Sequence, residues 1–285
     1  MQNKTQQNKD NPLVSVIVPT YNSSTTLREC LQSIKEQTYK NIEIIVVDNN
    51  SKDDTKEIAK QYTTKVFNKG PERCTQRNYG VEQASGEYVA IIDSDMNLAP
   101  EVISQAVEQM QKSGVVGVVI PEESYGEGFW AQCKKLERSF YVGISWMEAA
   151  RFFKKSDFEA IGGYDEDMVS GEDWDFSQRM QKRGTLARTQ AYIYHNEGKI
   201  SLFTTVKKKF YYAQKFAKYT AKESEHSEQI ASQTSIVERY KLFLSQPKKL
   251  FKNPILGIGM LFMKTMEFGF GAVGLLVGKV KKVGL

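Results

Sequence analysis

Cysteine is scarce in this 285-residue chain: Cys30, Cys74 and Cys133 are all there is. Their odd number and wide spacing exclude a disulfide scaffold and a metal knuckle, and in a chain this long they indicate reduced thiols and a cytosolic setting. Seven prolines and 20 unperiodic glycines exclude collagen-like and low-complexity classes, and no internal repeat is visible. Residues 1–11 are polar, rich in Gln and Asn, and hold no apolar h-region, so the segment reads as a disordered start without a secretory signal. Long apolar runs are missing too. The two longest in the C-terminal region, Asn253–Met263 and Phe268–Gly278, have 11 residues each, short of the roughly 20 that a spanning helix needs.

What is present is an uneven charge. The net +5 hides a division at Ile200: residues 201–285 carry 15 Lys+Arg against 5 Asp+Glu, a net of +10, which leaves −5 on residues 1–200. Such asymmetry implies an anionic partner for the tail, either a membrane surface or nucleic acid.

Hydrophobic patterning organises the first 200 residues. Val14–Val18, Ile42–Val47, Tyr88–Ile92 and Val115–Ile120 are short apolar, β-branched runs of the kind that form strands buried on both faces. Between them, Leu27, Cys30, Leu31 and Ile34, a segment over about 53–62, and Val102, Ile103, Ala106, Val107 and Met110 follow helical spacing. Strands alternating with helices of this length predict right-handed βαβ units: an α/β fold with a mostly parallel sheet covered on both sides. In such sheets ligands bind beyond the carboxyl ends of the strands. Polar clusters stand at three of those ends: Pro19-Thr-Tyr-Asn22, Asp48-Asn-Asn-Ser51 and Asp93-Ser-Asp95.

Asp93 and Asp95 leave a buried strand together, which suits a hard divalent cation, Mg²⁺ or Mn²⁺, shared with diphosphate oxygens; the alternative is a solvated turn. Further along, Gly171-Glu-Asp-Trp-Asp175 opens a helix to about Arg183. Glu172, Asp173 and Asp175 are either ordinary first-turn acids favoured by the helix dipole, or include a general base. Ala191–His195 reads as a strand ending in one of only two histidines, either structural or a further metal ligand.

Taken together, Pro19-Thr-Tyr-Asn22, Val47–Ser51, Arg77-Asn78 with Ala84–Tyr88, Asp93-Ser-Asp95, Gly162-Gly-Tyr-Asp165 and Gly171–Asp175 resemble the successive motifs of family 2 glycosyltransferases, in order and approximate spacing over residues 12–200. The resemblance implies a GT-A fold, a Rossmann-like α/β/α sandwich, with a nucleotide-binding half at 12–98 and an acceptor half at 99–200. It implies that Pro19, Thr20 and Tyr21 line the nucleotide pocket, that Asp48 or Asn49 contacts the base, and that Arg77, Asp93 and Ser94 lie along the donor nucleotide. Many members carry a second acid where Asn49 stands. Asp95 with Asp93 would hold Mn²⁺ or Mg²⁺, assisted by His195; Asp173 would be the catalytic base, with Glu172 and Trp174 toward the acceptor sugar. The expected reaction is inverting transfer of one sugar from a nucleotide-diphosphate donor to a saccharide hydroxyl or a polyprenyl-linked acceptor, in glycan or lipid-linked saccharide synthesis. The processive members carry Gln-x-x-Arg-Trp well downstream of the base; Gln178–Arg183 lies too close and lacks the Trp. Two other classes compete. A nucleic-acid binder would use the basic tail, but the acidic body repels phosphate and no recognisable binding motif is present, so no nucleic-acid partner is expected. A sugar nucleotidylyltransferase calls for a glycine-rich loop that Pro19–Asn22 does not supply.

The tail, 201–285, reads as helical and membrane-associating. Lys207–Tyr219 mixes lysines and aromatics as an interfacial helix does, or as a helix packing its aromatic side inward. Pro254–Gly278 holds two charges, Lys264 and Glu267, spaced to pair on a helix and costly at a bilayer centre. A peripheral or re-entrant placement on the cytoplasmic membrane face is therefore expected, with Lys279, Lys281 and Lys282 as anchors. The alternative is a homodimer through Gly274-x-x-x-Gly278.

Overall fold

The computed structural model describes residues 11–216, 219 and 223–283, with backbone alone for 223–228 and 279–283. Residues 1–10 and the side chains of Lys279, Lys281 and Lys282 lie outside what is described.

The chain divides into two compact units. The first comprises residues up to Pro121, Ala149–Glu166 and Phe176–Tyr194. Its elements are β1 (Val14–Thr20), α1 (Leu27–Lys35), β2 (Ile42–Asp48), α2 (Thr55–Lys60), β3 (Val66–Asn68), α3 (Arg73–Glu82), β4 (Tyr88–Ile91), β5 (Met96–Leu98), α4 (Val102–Met110) and β6 (Val115–Val119). After β7 (Glu122–Glu127) and α5 (Gly128–Ser139), which belong to the second unit, come β8 (Ala150–Lys154), α6 (Lys155–Ala160), α7 (Glu172–Gln181) and β9 (Thr185–Arg188). Seven strands form one sheet in the order β3-β2-β1-β4-β8-β6-β9. All neighbours are parallel except β8, which runs antiparallel to both β4 and β6.

Alternation along the strands builds two cores. Val14, Val16 and Val18 of β1, Ile44 and Val46 of β2 and Ala90 of β4 face one way, toward Leu27, Leu31 and Ile34 of α1, Ile58 of α2 and Ile103 and Ala106 of α4. Ile17, Ile45, Val47, Val89 and Ile91 face the other, toward Cys74 and Val81 of α3, Phe158 of α6 and Phe176 and Met180 of α7. A period of two in strands thus yields three layers, α/β/α. The expected strands and helices recur within a few residues of their predicted bounds.

The second unit collects Glu122–Glu148, Asp167–Asp175 and the chain from His195 onward. It contains β7, α5, the first turn of α7, most of β10 (Ile193–Lys199), α8 (Leu202–Lys215), α9 (Glu223–Thr234), α10 (Ile236–Leu244), α11 (Pro247–Leu250) and α12 (Pro254–Val283). Cys133 and Phe140 pack with Phe243, Leu250, Met260 and Met263. Four expectations are corrected here. The domain boundary drawn at residue 200 from charge alone misses that 122–148 and 167–175 join the tail, because those contacts are between segments far apart in sequence. β10 starts at Ile193 and continues past His195 instead of ending there. Pro254–Val283 is one continuous helix, so no re-entrant hairpin forms within it. And Gly274 and Gly278, the proposed seam for a second copy, receive α8 of the same chain: a Cβ on either would lie 2.5 Å from the Phe210 or Gln214 carbonyl oxygen.

Candidate active site

In the first unit the ends of β1, β2 and β4 deliver their polar residues to one edge. Pro19 and Thr20 close β1 and are buried, and Asp48 closes β2 with no exposure at all. The Asp48 carboxylate is held from two sides: Thr20 Oγ1 donates to Oδ1 at 2.9 Å, and the Ser51 backbone N–H donates to Oδ2 at 2.8 Å. Ser51 Oγ also donates to Oδ1, at 2.5 Å, and accepts from the Asn22 N–H at 2.8 Å. Asp48 therefore ties together the loops after β1 and β2. Asn49, in the loop after β2, is partly exposed, and Tyr21, in the loop after β1, is 61% exposed. Buried Gln76 of α3 reinforces the frame by donating to the carbonyls of Thr20, at 2.9 Å, and Val47, at 2.6 Å.

Next to it on α3, Arg77 is completely buried. Its Nη2 meets Asp93 Oδ1 at 2.9 Å, and its guanidinium lies 5.2 Å from the centre of the Tyr164 ring. From β8, Arg151 Nη1 approaches Asp93 Oδ2 at 3.4 Å. Burial alone would push the Asp93 carboxyl up, but the charges of Arg77, Arg151 and Arg73 overcome it and hold the group well below the usual carboxylate range. Asp93 is thus a fixed anion at the end of β4, held by guanidinium groups. Ser94 Oγ donates to Ser23 Oγ at 2.8 Å, tying the β4 end to the loop after β1, and Asp95 is partly exposed on the same turn.

In the second unit, Gly171 adopts φ +82° ahead of α7, and a Cβ there would lie 2.7 Å from Tyr219 Cγ. Only glycine accepts both the conformation and the approach. Of the three acids that follow, Glu172 and Asp175 are buried and Asp173 is partly exposed, the one best placed to meet a solvent-borne hydroxyl. Trp174 Nε1 donates to the Met147 carbonyl at 3.2 Å, and its ring packs 5.9 Å from that of Tyr219, so Trp174 braces this turn. His195 Nδ1 stands 3.8 Å from Glu122, which also pairs with Arg138 at 2.7 Å. Arg138 Nε reaches Glu197 at 3.1 Å, and Ser124 Oγ donates to the same carboxylate at 2.8 Å.

Among the described residues no three His, Cys, Asp or Glu side chains form a ready metal cage. The donor set still fits a cation of the Mg²⁺ or Mn²⁺ kind, which uses one or two carboxylates and takes its other oxygens from phosphate and water. With both oxygens of Asp93 facing arginines, Asp95 is the better-suited carboxylate. Arg151, Arg73 and Gln76 are residues that sequence reasoning missed, and Ser51 and Tyr164 stood in its motifs without a role; an arginine inside a strand and a glutamine inside a helix give no local signal of the partners they find.

Residues 15–165 match the family model described as glycosyl transferase family 2. Over 191 residues the chain is 33% identical to an uncharacterized glycosyltransferase of Rickettsia typhi, covering 59% of this chain and 58% of that protein. It is 30% identical to the glycosyltransferase AglE of Haloferax volcanii, over 61% of this chain and 62% of that one. The chain therefore spans about six tenths of the length of these curated relatives. A shorter stretch of 108 residues, 34% of each chain, is 36% identical to the GalNAc(5)-diNAcBac-PP-undecaprenol beta-1,3-glucosyltransferase of Campylobacter jejuni. In fold, the chain is similar to the mannosyltransferase PcManGT of Pyrobaculum calidifontis, solved in complex with GDP-Man and Mn²⁺, with a TM-score of 0.64 at 18% identity over 93% of this chain and 87% of that one. With a GT-A architecture and a family model matched over more than half its length, the chain belongs to glycosyltransferase family 2.

Proposed function

We propose that the protein transfers a single sugar, with inversion, from a nucleotide-diphosphate donor to a hydroxyl or lipid-phosphate acceptor at a membrane surface. The observation that carries this reading is the edge of the seven-stranded sheet, where the loops bearing Tyr21, Asn49, and Ser94 with Asp95 are tied together by hydrogen bonds and end on the arginine-bound Asp93. Guanidinium groups fixed at that edge suit a diphosphate, whose developing negative charge is stabilised by positive groups already in place. Asp95 would hold the divalent cation; when bound, the cation would neutralise charge on the leaving nucleoside diphosphate. Tyr21 and Asn49 would contact the base.

Asp173 takes the proton from the acceptor hydroxyl as that oxygen attacks the anomeric carbon opposite the leaving group. One displacement then gives inversion. A lipid-phosphate acceptor arrives already ionised and needs no base. The Campylobacter relative, named for action on an undecaprenol-linked saccharide, and the apolar C-terminal helix both support a lipid-linked acceptor at a membrane.

The test is a panel of UDP-, GDP- and dTDP-sugars with Mn²⁺, scored by nucleoside diphosphate release with and without polyprenyl-linked acceptor. Release with one base is expected. A folded protein that releases none under any condition overturns the reading.

A further inference from the structure

The last helix of the second unit carries its charge on the wrong side for a soluble protein. Along α12, Ile255, Ile258, Phe262, Phe270, Val273 and Leu276 are exposed, Ile255 at 72% and Leu276 at 64%. They recur at spacings of three, four, eight, three and three, one stripe of a 3.6-residue helix. No charged residue of Pro254–Gly278 lies on that stripe. The two charges the segment has are on the opposite, buried face, where Lys264 is 4% and Glu267 3% exposed. There Lys264 Nζ donates to Glu137 at 2.7 Å and to Glu267 at 2.7 Å, while Lys134 donates to Glu137 at 2.8 Å and to Glu267 at 3.1 Å. Two lysines and two glutamates, supplied by α5 and α12, neutralise one another, three of them buried and Lys134 partly so.

This quartet separates the ways in which α12 could meet lipid. A crossing helix would carry Lys264 and Glu267 to mid-membrane. With them would go α5, which also bears Lys135, 44% exposed, and Arg138. Charge at that depth costs several kcal/mol for each group. Lying flat, α12 buries only its apolar stripe and leaves the quartet inside the protein. The rim is basic. Lys207 and Lys208 are exposed on α8, which packs along α12 at Gly271, Gly274 and Gly278, and Lys248 and Lys252 are exposed just ahead of the helix.

We infer that α12 lies in the plane of one leaflet of an anionic phospholipid bilayer, its Ile255-to-Leu276 stripe at the boundary between headgroups and acyl chains and the lysines of α8 toward lipid phosphate. The inference refines the membrane location proposed above and is independent of the sugar chemistry.

The full chain is mixed with vesicles of phosphatidylcholine, with and without one quarter phosphatidylglycerol, and recovered by flotation. Flotation with the anionic vesicles is expected, and raising the salt or replacing Lys207 and Lys208 by Gln weakens it, by about fivefold for each lysine. Phe262→Asp and Phe270→Asp, both outward and checked for an unchanged melting temperature, lower the bound fraction at least tenfold. A fluorophore is attached at Ile258→Cys, Phe270→Cys or Leu276→Cys and quenched by nitroxides at graded depths. It reports one shallow depth of about 5–10 Å at all three positions, the unsubstituted chain serving as the labelling control for its three buried thiols. Flotation with depth rising to the bilayer centre and falling again overturns the in-plane placement alone. No flotation on any vesicle overturns the membrane location as well. A lipid-free dimer dissolved by Phe262→Asp assigns the stripe to a second copy and overturns both.

Discussion

Two arginines touch Asp93, and they do different work. Arg77 is buried and stacked on Tyr164, so removing it leaves Asp93 short of its main partner in a low-dielectric site. Arg77→Leu is expected to cost about 3–5 kcal/mol in denaturant unfolding. Arg151→Gln leaves Arg77 in place and is expected to raise the KM for the donor while changing the melting temperature little. At Asp173 the outcome depends on the acceptor. Asp173→Asn lowers kcat by about 10²–10⁴ if the acceptor is a hydroxyl, and leaves it nearly intact if the acceptor is a lipid phosphate; product release measured on both acceptor types decides. Asp48, Asp93 and Asp95 were legible as candidates because each stands at the end of a buried strand run, whereas Asp173 stood out only as a first-turn acid of a helix. Arg151 and Gln76 were not, because nothing local marks a polar residue whose partners sit 58, 29 or 56 positions away.

Elements show the same division between what is local and what is not. The i, i+3 spacing of Lys264 and Glu267 predicts their pairing, and the 2.7 Å contact is found. Spacing does not say which face that pair occupies; Lys134 and Glu137 of α5 decide it. The quartet gives the second unit a pH window. Burial pushes the Glu137 carboxyl up, and Lys134 and Lys264 reverse this and bring it well below its ordinary value. A carboxyl with a depressed folded value stabilises above its unfolded value, near 4.3, and loses that contribution as pH falls through the folded value. For Lys264, burial lowers and Glu137 and Glu267 raise, with a net rise. That stabilisation is complete below about 10.4 and is lost as pH rises through the folded value. Glu137→Gln is therefore expected to lower stability by about 3–5 kcal/mol at pH 7 and to flatten the acid limb of a stability-against-pH curve measured by thermal melting.

For the whole molecule, the fold class was readable because alternation of strand and helix patterns is a long-range regularity written in local periods. Domain organisation was readable only in part. The break in charge near residue 200 lies close to the return of the chain to the second unit at His195, yet Glu122–Glu148 belongs with the tail because Cys133 and Phe140 complete a core with Met260 and Met263. A chain cut after residue 200 should consequently leave α5 without its partners. Low soluble yield and loss of a cooperative melt are expected for 1–200, whereas a tail that were a mere appendage would leave both intact. The paired charges of α12 carry one more consequence, for biosynthesis. Without them Pro254–Gly278 would be 25 uncharged, predominantly apolar residues, long enough for the insertion machinery to accept as a stop-transfer segment. Lys264→Leu with Glu267→Leu is expected to convert a protein released from membranes by alkaline carbonate into one that resists extraction. Two residues, silent in the chemistry of sugar transfer, would then decide whether the chain is finished beside the membrane or threaded through it.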